Sequence, residues 1–258
     1  TTVLKRGISE ISEKDLVQEK HVVVTITDKG YCKRMDTKTY KEQKRGGKGV
    51  IGSNLATGDF AKQMITCNTH DYLMFFTTRG RVLWLKAYEV PEAERYSKGK
   101  AIINMLSLSN ETVTKVMSVK KFDDALFKAT KRGIVKKIAL SNFSNPRVSG
   151  IKAINLPNDE SDSLIGVELV KKGQEILLAT KHGKAIRFDS KDVRSMGRAS
   201  YGVTGIRMEP KDEVVSLEVL STQAILTITK NGYGKRTEVE EYRKTARGGK
   251  GVTNLKVS

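Results

Sequence analysis

Five times along the chain an apolar, β-prone run closes on the same four-residue ending, Thr-x-x-Gly. The runs occupy residues 22–30, 73–80, 125–133, 176–183 and 224–232, and their closing glycines are Gly30, Gly80, Gly133, Gly183 and Gly232. A run that stops at x-Gly reads as the first strand and turn of a β-hairpin, because glycine takes up positive φ at little cost. A second strand follows each glycine, at residues 31–34, 81–85, 134–138, 184–188 and 233–236. The fourth residue past the glycine is Arg34, Trp84, Lys137, Arg187 or Arg236, a cation in all repeats but one. That recurrence predicts a shared charged face, with Trp84 as a packing residue.

A second glycine, at Gly49, Gly99, Gly150, Gly202 or Gly251, marks a loop further along each unit, and a short apolar strand follows it. An acidic or polar turn then leads to one more strand, expected at 60–66, 113–119, 164–170 and 214–220. Four strands repeating at a period near 50 residues predict a propeller-like array of small antiparallel sheets. The pattern is read as one all-β domain over 1–258, with repeats starting near 22, 72, 125, 175 and 224. Residues 1–20 form a lead-in, where a sequence at 12–17 that resembles a capping motif predicts a short helix or an irregular segment.

Charge narrows the choice of partner. The chain carries 47 Lys and Arg against 29 Asp and Glu, a net charge of +18. Such an excess favours a polyanion, nucleic acid before an anionic membrane. The sequence shows no basic amphipathic helix or lipidation signal to support a membrane role. The two cysteines, Cys32 and Cys67, are too few for a disulfide framework or a cysteine-pair zinc site, and reduced thiols are expected. His21, His70 and His182 are scattered over different repeats, and no phosphate-binding loop of the Gly-x4-Gly-Lys-Ser/Thr type occurs. No catalytic constellation, cofactor site or metal site is expected in this chain.

The most basic of the glycine loops is Gln43-Lys44-Arg45-Gly46-Gly47-Lys48-Gly49, and Arg247-Gly248-Gly249-Lys250-Gly251 is its partial echo. Glycines beside cations allow close backbone approach to phosphate. The heptapeptide resembles the gyrase A box, Gln-Arg-Arg-Gly-Gly-Lys-Gly, with Lys44 as a conservative departure. Together with the Lys-Gly-Tyr, Arg-Gly-Arg and Asn-Gly-Tyr-Gly-Lys-Arg turns, it is similar to the C-terminal domains of gyrase A subunits. The likeness runs over residues 12–258.

That resemblance implies a β-pinwheel, an array of four-stranded blades that exchange strands with their neighbours. Many relatives have six blades; five hairpin units are counted here, so a five-bladed form or a truncated or open six-blade ring is expected. The family binds double-stranded DNA without sequence choice and wraps it with a chiral sense around a basic rim. The wrap supports ATP-dependent negative supercoiling by a holoenzyme of two A and two B subunits. ATP, magnesium and the DNA-cleaving tyrosine would all lie outside this chain, and the location implied is the cytoplasm, with the nucleoid.

Wrapping needs phosphate contacts spread along a curved face, because one exposed ion pair contributes only about 0–1 kcal/mol. Bending 20–30 base pairs by 40–90° costs on the order of 1–6 kcal/mol. The expected DNA contacts are therefore Gln43, Lys44, Arg45, Gly46, Gly47, Lys48 and Gly49 of the box. A wider basic rim adds Lys33, Arg34, Lys136, Lys137, Arg187, Lys235 and Arg236 from the strands. Arg79, Lys98, Arg132, Arg247 and Lys250 complete it from turns and loops. Two alternatives remain open: a topoisomerase IV-type domain that orients DNA without a full wrap, and a propeller used for protein docking.

Overall fold

The computed structural model describes residues 16–39, 58–94, 96–198 and 200–256, and it consists of β-strands joined by turns and short 3-10 segments. The first repeat supplies β1 (His21–Thr27), β2 (Tyr31–Asp36) and β3 (Ala61–Asn68). The second supplies β4 (Tyr72–Thr77), β5 (Arg81–Lys86), β6 (Lys100–Ala101) and β7 (Val113–Val119). The third gives β8 (Ala125–Thr130), β9 (Ile134–Ala139), β10 (Ile151–Lys152) and β11 (Leu164–Val170). The fourth gives β12 (Glu175–Thr180), β13 (Lys184–Asp189), β14 (Val203–Thr204) and β15 (Val214–Leu220). The fifth contributes β16 (Ala224–Ile228), β17 (Gly234–Glu238) and β18 (Val252–Thr253).

These strands do not stay within their own repeats. The sheets run β3-β1-β2-β6, β10-β5-β4-β7, β11-β8-β9-β14 and β15-β12-β13-β18. In each, the short strand after a glycine loop pairs with the hairpin of another repeat. Thus β6 joins β2 through Tyr31↔Ala101, β14 joins β9 through Ile134↔Thr204, and β18 joins β13 through Lys184↔Thr253. The expected strand exchange is present. The fifth repeat, for which the sequence shows no closing strand like those at 60–66, 113–119, 164–170 and 214–220, differs: β16 and β17 form a two-stranded sheet. Its own short strand, β18, is committed to β13, and among the described residues no other strand joins β16 or β17.

The chain divides into two compact units. One comprises Thr1–Met74, Leu85–Leu106 and Met117–Lys120; the other comprises Phe75–Trp84, Ser107–Val116 and Lys121–Ser258. The first contains the sheet β3-β1-β2-β6, whose core includes Val22, Val24, Ile26, Cys32, Met35 and Cys67. In the second, sheets from the third and fourth repeats share a core of Phe127, Val135, Ile176, Leu178, Phe188, Ile206 and Leu217. Both cysteines are free thiols; burial pushes Cys32 up to about 12 and Cys67 up to about 11, so both stay protonated at neutral pH.

The Thr-x-x-Gly ending has a physical basis that repeats with it. In every hairpin the threonine hydroxyl accepts the backbone N–H of the residue after the glycine: Tyr31, Arg81, Ile134, Lys184 and Tyr233. The threonine carbonyl accepts the glycine N–H in the same turns, at 2.9–3.0 Å. The side chain thus fixes the turn locally, as Ser and Thr do where a backbone partner is out of reach. An acidic residue from the unit's later turn caps several of the same hairpins. Asp59 Oδ1 accepts from Lys29 N, Asp162 Oδ1 from Arg132 N, and Asp212 Oδ1 from His182 N. Burial opposes ionisation of Asp212, but hydrogen bonds from Thr180, His182 and Glu213 outweigh it and hold its carboxyl below the usual range.

The second set of glycines has a different reason to be glycine. Gly99, Gly150, Gly202 and Gly251 all have positive φ, and each presses against a strand of another repeat. A Cβ there would lie 2.5 Å from Cys32 O, 2.8 Å from Val82 O, 2.6 Å from Val135 O and 2.5 Å from Ala185 O, respectively. By contrast, a Cβ at Gly30 or Gly232 would meet nothing within 4 Å, so those turns need the backbone conformation and not the space.

Candidate nucleic-acid interface

The cations expected on the strand faces fall into two groups. The first is turned inward. Lys33 is buried, and its Nζ donates to the carbonyls of Glu94 (3.3 Å) and Ser97 (2.9 Å), just ahead of Gly99. Lys136 occupies the same place in the third repeat and donates to Arg198 O (2.7 Å) and Ser200 O (2.8 Å), just ahead of Gly202. An ammonium has three donors and no acceptor, so a cluster of loop carbonyls can replace its water. The replacement is incomplete: burial pulls the Lys136 pKa down to about 8, and it lowers that of Lys33 as well.

The next residue along each strand does the same for a different loop. Arg34 Nε donates to Val90 O at 2.7 Å, Lys137 Nζ to Ser190 O at 2.7 Å, and Arg187 Nη1 to Val239 O at 2.8 Å and Tyr242 O at 3.2 Å. These carbonyls belong to the 3-10 turns that end the following hairpin. Arg187 also pairs with Glu175 at 2.6 Å, and Lys244 pairs with Glu175 (2.7 Å) and Asp189 (3.4 Å). Burial opposes ionisation of Glu175, yet the hydrogen bonds from Lys244 and Arg187 hold its carboxyl low. Lys33, Arg34, Lys136, Lys137 and Arg187, expected to present their charge to a ligand, are thus each bonded within the fold. Their donors are occupied by backbone carbonyls of the next repeat, because the exchanged loop lands on the face that alternation alone would leave to solvent. Trp84, as expected, is buried.

The second group is exposed. Arg132 carries its guanidinium on the third hairpin turn, and Lys235 lies exposed on β17. Arg79 is exposed on the second turn and paired with Glu160, itself exposed. Arg236 is exposed and pairs with Glu238 at 3.2 Å. Lys98 stands over the Tyr31 ring, 3.9 Å from its centroid, with its side chain still exposed. In the fifth glycine loop Lys250 is exposed, whereas Arg247 is half-buried and donates to Asp192 O and Thr204 O. Gln43, Lys44, Arg45, Gly46, Gly47, Lys48 and Gly49 lie outside the described residues.

Sequence reasoning misses two contributors. Lys128 sits in a run that reads as plain apolar strand; it is buried, donates to Ala153 O at 2.7 Å, and lies over the Phe143 ring. Burial and the nearby Lys136 charge push its pKa well down. Arg81 reads only as a strand residue. It pairs with the buried Glu111 at 2.7 Å and donates to Ser107 O and Ser149 O, the latter beside Gly150. Part of its signal lies in the sequence, since Glu111 occupies the turn position that is Asp59, Asp162 or Asp212 in other repeats. Among the described residues no cluster of three or more His, Cys, Asp and Glu could hold a metal ion, and no helix is long and apolar enough to cross a membrane.

Comparison with known proteins places this architecture. The chain matches the family described as the DNA gyrase C-terminal domain, beta-propeller, over residues 21–68, 71–120, 124–171, 174–221 and 223–258. It is 43% identical over 228 residues to the DNA gyrase A protein of Staphylococcus epidermidis, covering 87% of this chain and 25% of that protein. It is 44% identical over 216 residues to the DNA gyrase A protein of Mycolicibacterium smegmatis, covering 82% of this chain and 25% of that one. The chain thus spans about a quarter of the length of these relatives. Among solved structures, a DNA gyrase A C-terminal domain superposes with a TM-score of 0.72 at 29% identity, covering 90% of this chain and 76% of that one. The C-terminal domain of a DNA topoisomerase IV gives 0.74 at 27% identity, covering 92% and 73%.

Proposed function

The chain belongs to the family of DNA gyrase C-terminal β-propeller domains, and from that premise we propose that it binds duplex DNA without sequence choice and wraps it chirally. The observation that carries the proposal is the sorting of cations. Those at the strand positions of the first, third and fourth repeats are consumed by loop carbonyls, while Arg132, Lys250 and the fifth repeat's Lys235 keep exposed side chains. Arg79, Lys98 and Arg236 add exposed charge held only by exposed carboxylates or a ring face. Phosphate contacts that are many and individually weak suit a partner recognised by its backbone rather than its bases.

In this reading the box, Gln43 to Gly49, is the decisive element of the first repeat, and the whole 258-residue array acts as one wrapping domain. It serves a cytoplasmic holoenzyme of two A and two B subunits that supercoils DNA negatively with ATP, and whose catalytic groups and magnesium lie outside this chain. The likeness to a topoisomerase IV domain keeps a second reading in play, in which DNA is held but not fully wrapped. The heptapeptide favours the first.

Two measurements on the 258-residue chain separate these. Duplex affinity should fall steeply with salt; a protein with about 6–10 phosphate contacts loses roughly 10³–10⁵ between 50 and 200 mM. Relaxing a closed plasmid in the presence of the chain should shift its linking number. Weak duplex binding at 50 mM salt would sink the proposal, and binding without a linking-number shift would favour the second reading.

A further inference from the structure

Two loops carry the Arg-Gly-Gly-Lys-Gly sequence, and the fifth-repeat copy is described throughout. Its two cations meet different fates. The Arg247 guanidinium bridges two carbonyls of the fourth repeat, Nε to Asp192 O at 2.9 Å and Nη1 to Thr204 O at 3.1 Å. The backbone around it is tied to the same repeat. Gly248 N donates to Gly205 O at 2.6 Å, and Arg207 N donates to Gly249 O at 2.9 Å. Gly251 closes the loop with its Cα against Ala185 O, where a Cβ would come within 2.5 Å. Every one of these contacts fastens the loop to the fourth repeat. Lys250 stands apart: its side chain is exposed and makes no hydrogen bond or ion pair among the described residues.

We propose that the two cations divide the work: Lys250 contacts a DNA phosphate, and Arg247 is a positioning residue that touches no DNA and holds the loop so that Lys250 is presented. This rests on the duplex-binding reading above. The chemistry of each side chain fits its share. The Arg247 guanidinium reaches its two carbonyls from two separate nitrogens held in a fixed fork, whereas a lysine offers a single nitrogen on a flexible stem and bridges only carbonyls that converge on one point, as at Lys33 and Lys136. An ammonium acts on phosphate as a point charge, so arginine can take its place there. Sequence alone would have counted both residues equally as phosphate contacts.

The test is a double-mutant cycle on the 258-residue chain, read as the slope of log K against log salt for duplex DNA. Lys250→Gln is expected to reduce the slope by about 0.9, the value of one phosphate contact, while Lys250→Arg keeps it. Arg247→Gln and Arg247→Lys are both expected to reduce it by the same amount, because each frees the loop. The double variant Arg247→Gln, Lys250→Gln should lose no more than Lys250→Gln alone. Amide hydrogen exchange at Gly248 to Gly251 should accelerate in both Arg247 variants and not in Lys250→Gln, a DNA-free readout of the anchor.

A double variant whose slope falls by about 1.8 would make Arg247 a phosphate contact in its own right and overturn the division. So would an Arg247→Lys chain that binds and exchanges like the original, or a Lys250→Gln chain with the original slope. Failure of the unaltered chain to bind duplex would instead sink the function from which this inference starts.

Discussion

The fourth and fifth hairpins are built from the same sequence plan and end in different surroundings. Both have the Thr-x-x-Gly turn, both have the threonine hydroxyl bonded across it, and both carry arginine four residues past the glycine. In the fourth, β13 receives β18, and the Arg187 side chain is 10% exposed, shared between Glu175 and two carbonyls. In the fifth, β17 has only β16 beside it among the described residues, and the Arg236 side chain is 73% exposed. Leu226 and Ile228 of β16 are each 64% exposed, whereas Leu178 of β12 is buried. The hairpin's own sequence therefore does not decide whether a cation is structural or available to a ligand. What decides it is the arrival of another repeat's loop carbonyls on that face.

The contrast can be attacked at several strengths. The largest effect is expected at the docking glycine. Gly251→Ala combines positive φ with a Cβ driven onto Ala185 O, and should cost about 3 kcal/mol or more. Gly232→Ala shares the φ but meets no atom within 4 Å, and should cost about 1 kcal/mol. Chemical denaturation of the two variants compares docking with turn directly; equal losses would mean that strand docking adds nothing.

Arg187→Ala should come next, at about 2–3 kcal/mol, since it leaves the two buried carbonyls of Val239 and Tyr242 without their donor and Glu175 with Lys244 alone. The matching Arg236→Ala should move the same transition by under about 0.5 kcal/mol while flattening the salt dependence of duplex binding. Should the two arginines exchange these behaviours, the sorting of inward and outward cations fails.

A smaller effect should appear with pH at Lys136. Its pKa is lowered to about 8 in the fold against about 10.5 when unfolded, so between those values the unfolded chain holds more protons. Stability should accordingly rise as pH climbs from about 8 towards 10.5, by ~1–3 kcal/mol if other groups are subtracted. Comparing the chain with Lys136→Met across that range isolates the contribution, because methionine has nothing to titrate. Parallel pH curves for the two would show that the buried ammonium carries no penalty.

The sequence discloses whatever is local. The five Thr-x-x-Gly turns depend on atoms within four residues of one another, and all five hairpins stand where the pattern places them. Strands at 113–119, 164–170 and 214–220 are readable to the residue, because apolar alternation ends at turns on both sides. Partners that come from far along the chain are hidden. Lys33 reaches Ser97 and Lys136 reaches Ser200, each more than 60 residues away, and no periodicity announces a carbonyl at that distance. Alternation reports which face a side chain takes, not what covers it. The same limit explains why Arg247 and Lys250 look alike in sequence, when one is bonded to Asp192 and Thr204 and the other is not.

Strand exchange also has a consequence in time. The ribosome delivers the chain from its N-terminus, so β1 and β2 emerge long before Lys100 and Ala101, the strand that completes their sheet. Likewise β12 and β13 wait for Val252 and Thr253. During synthesis each of the first four hairpins therefore spends the translation of much of a further repeat with one edge unfinished, and the buried lysines that receive the next loop, Lys33 and Lys136, are among the last parts of their sheets to mature.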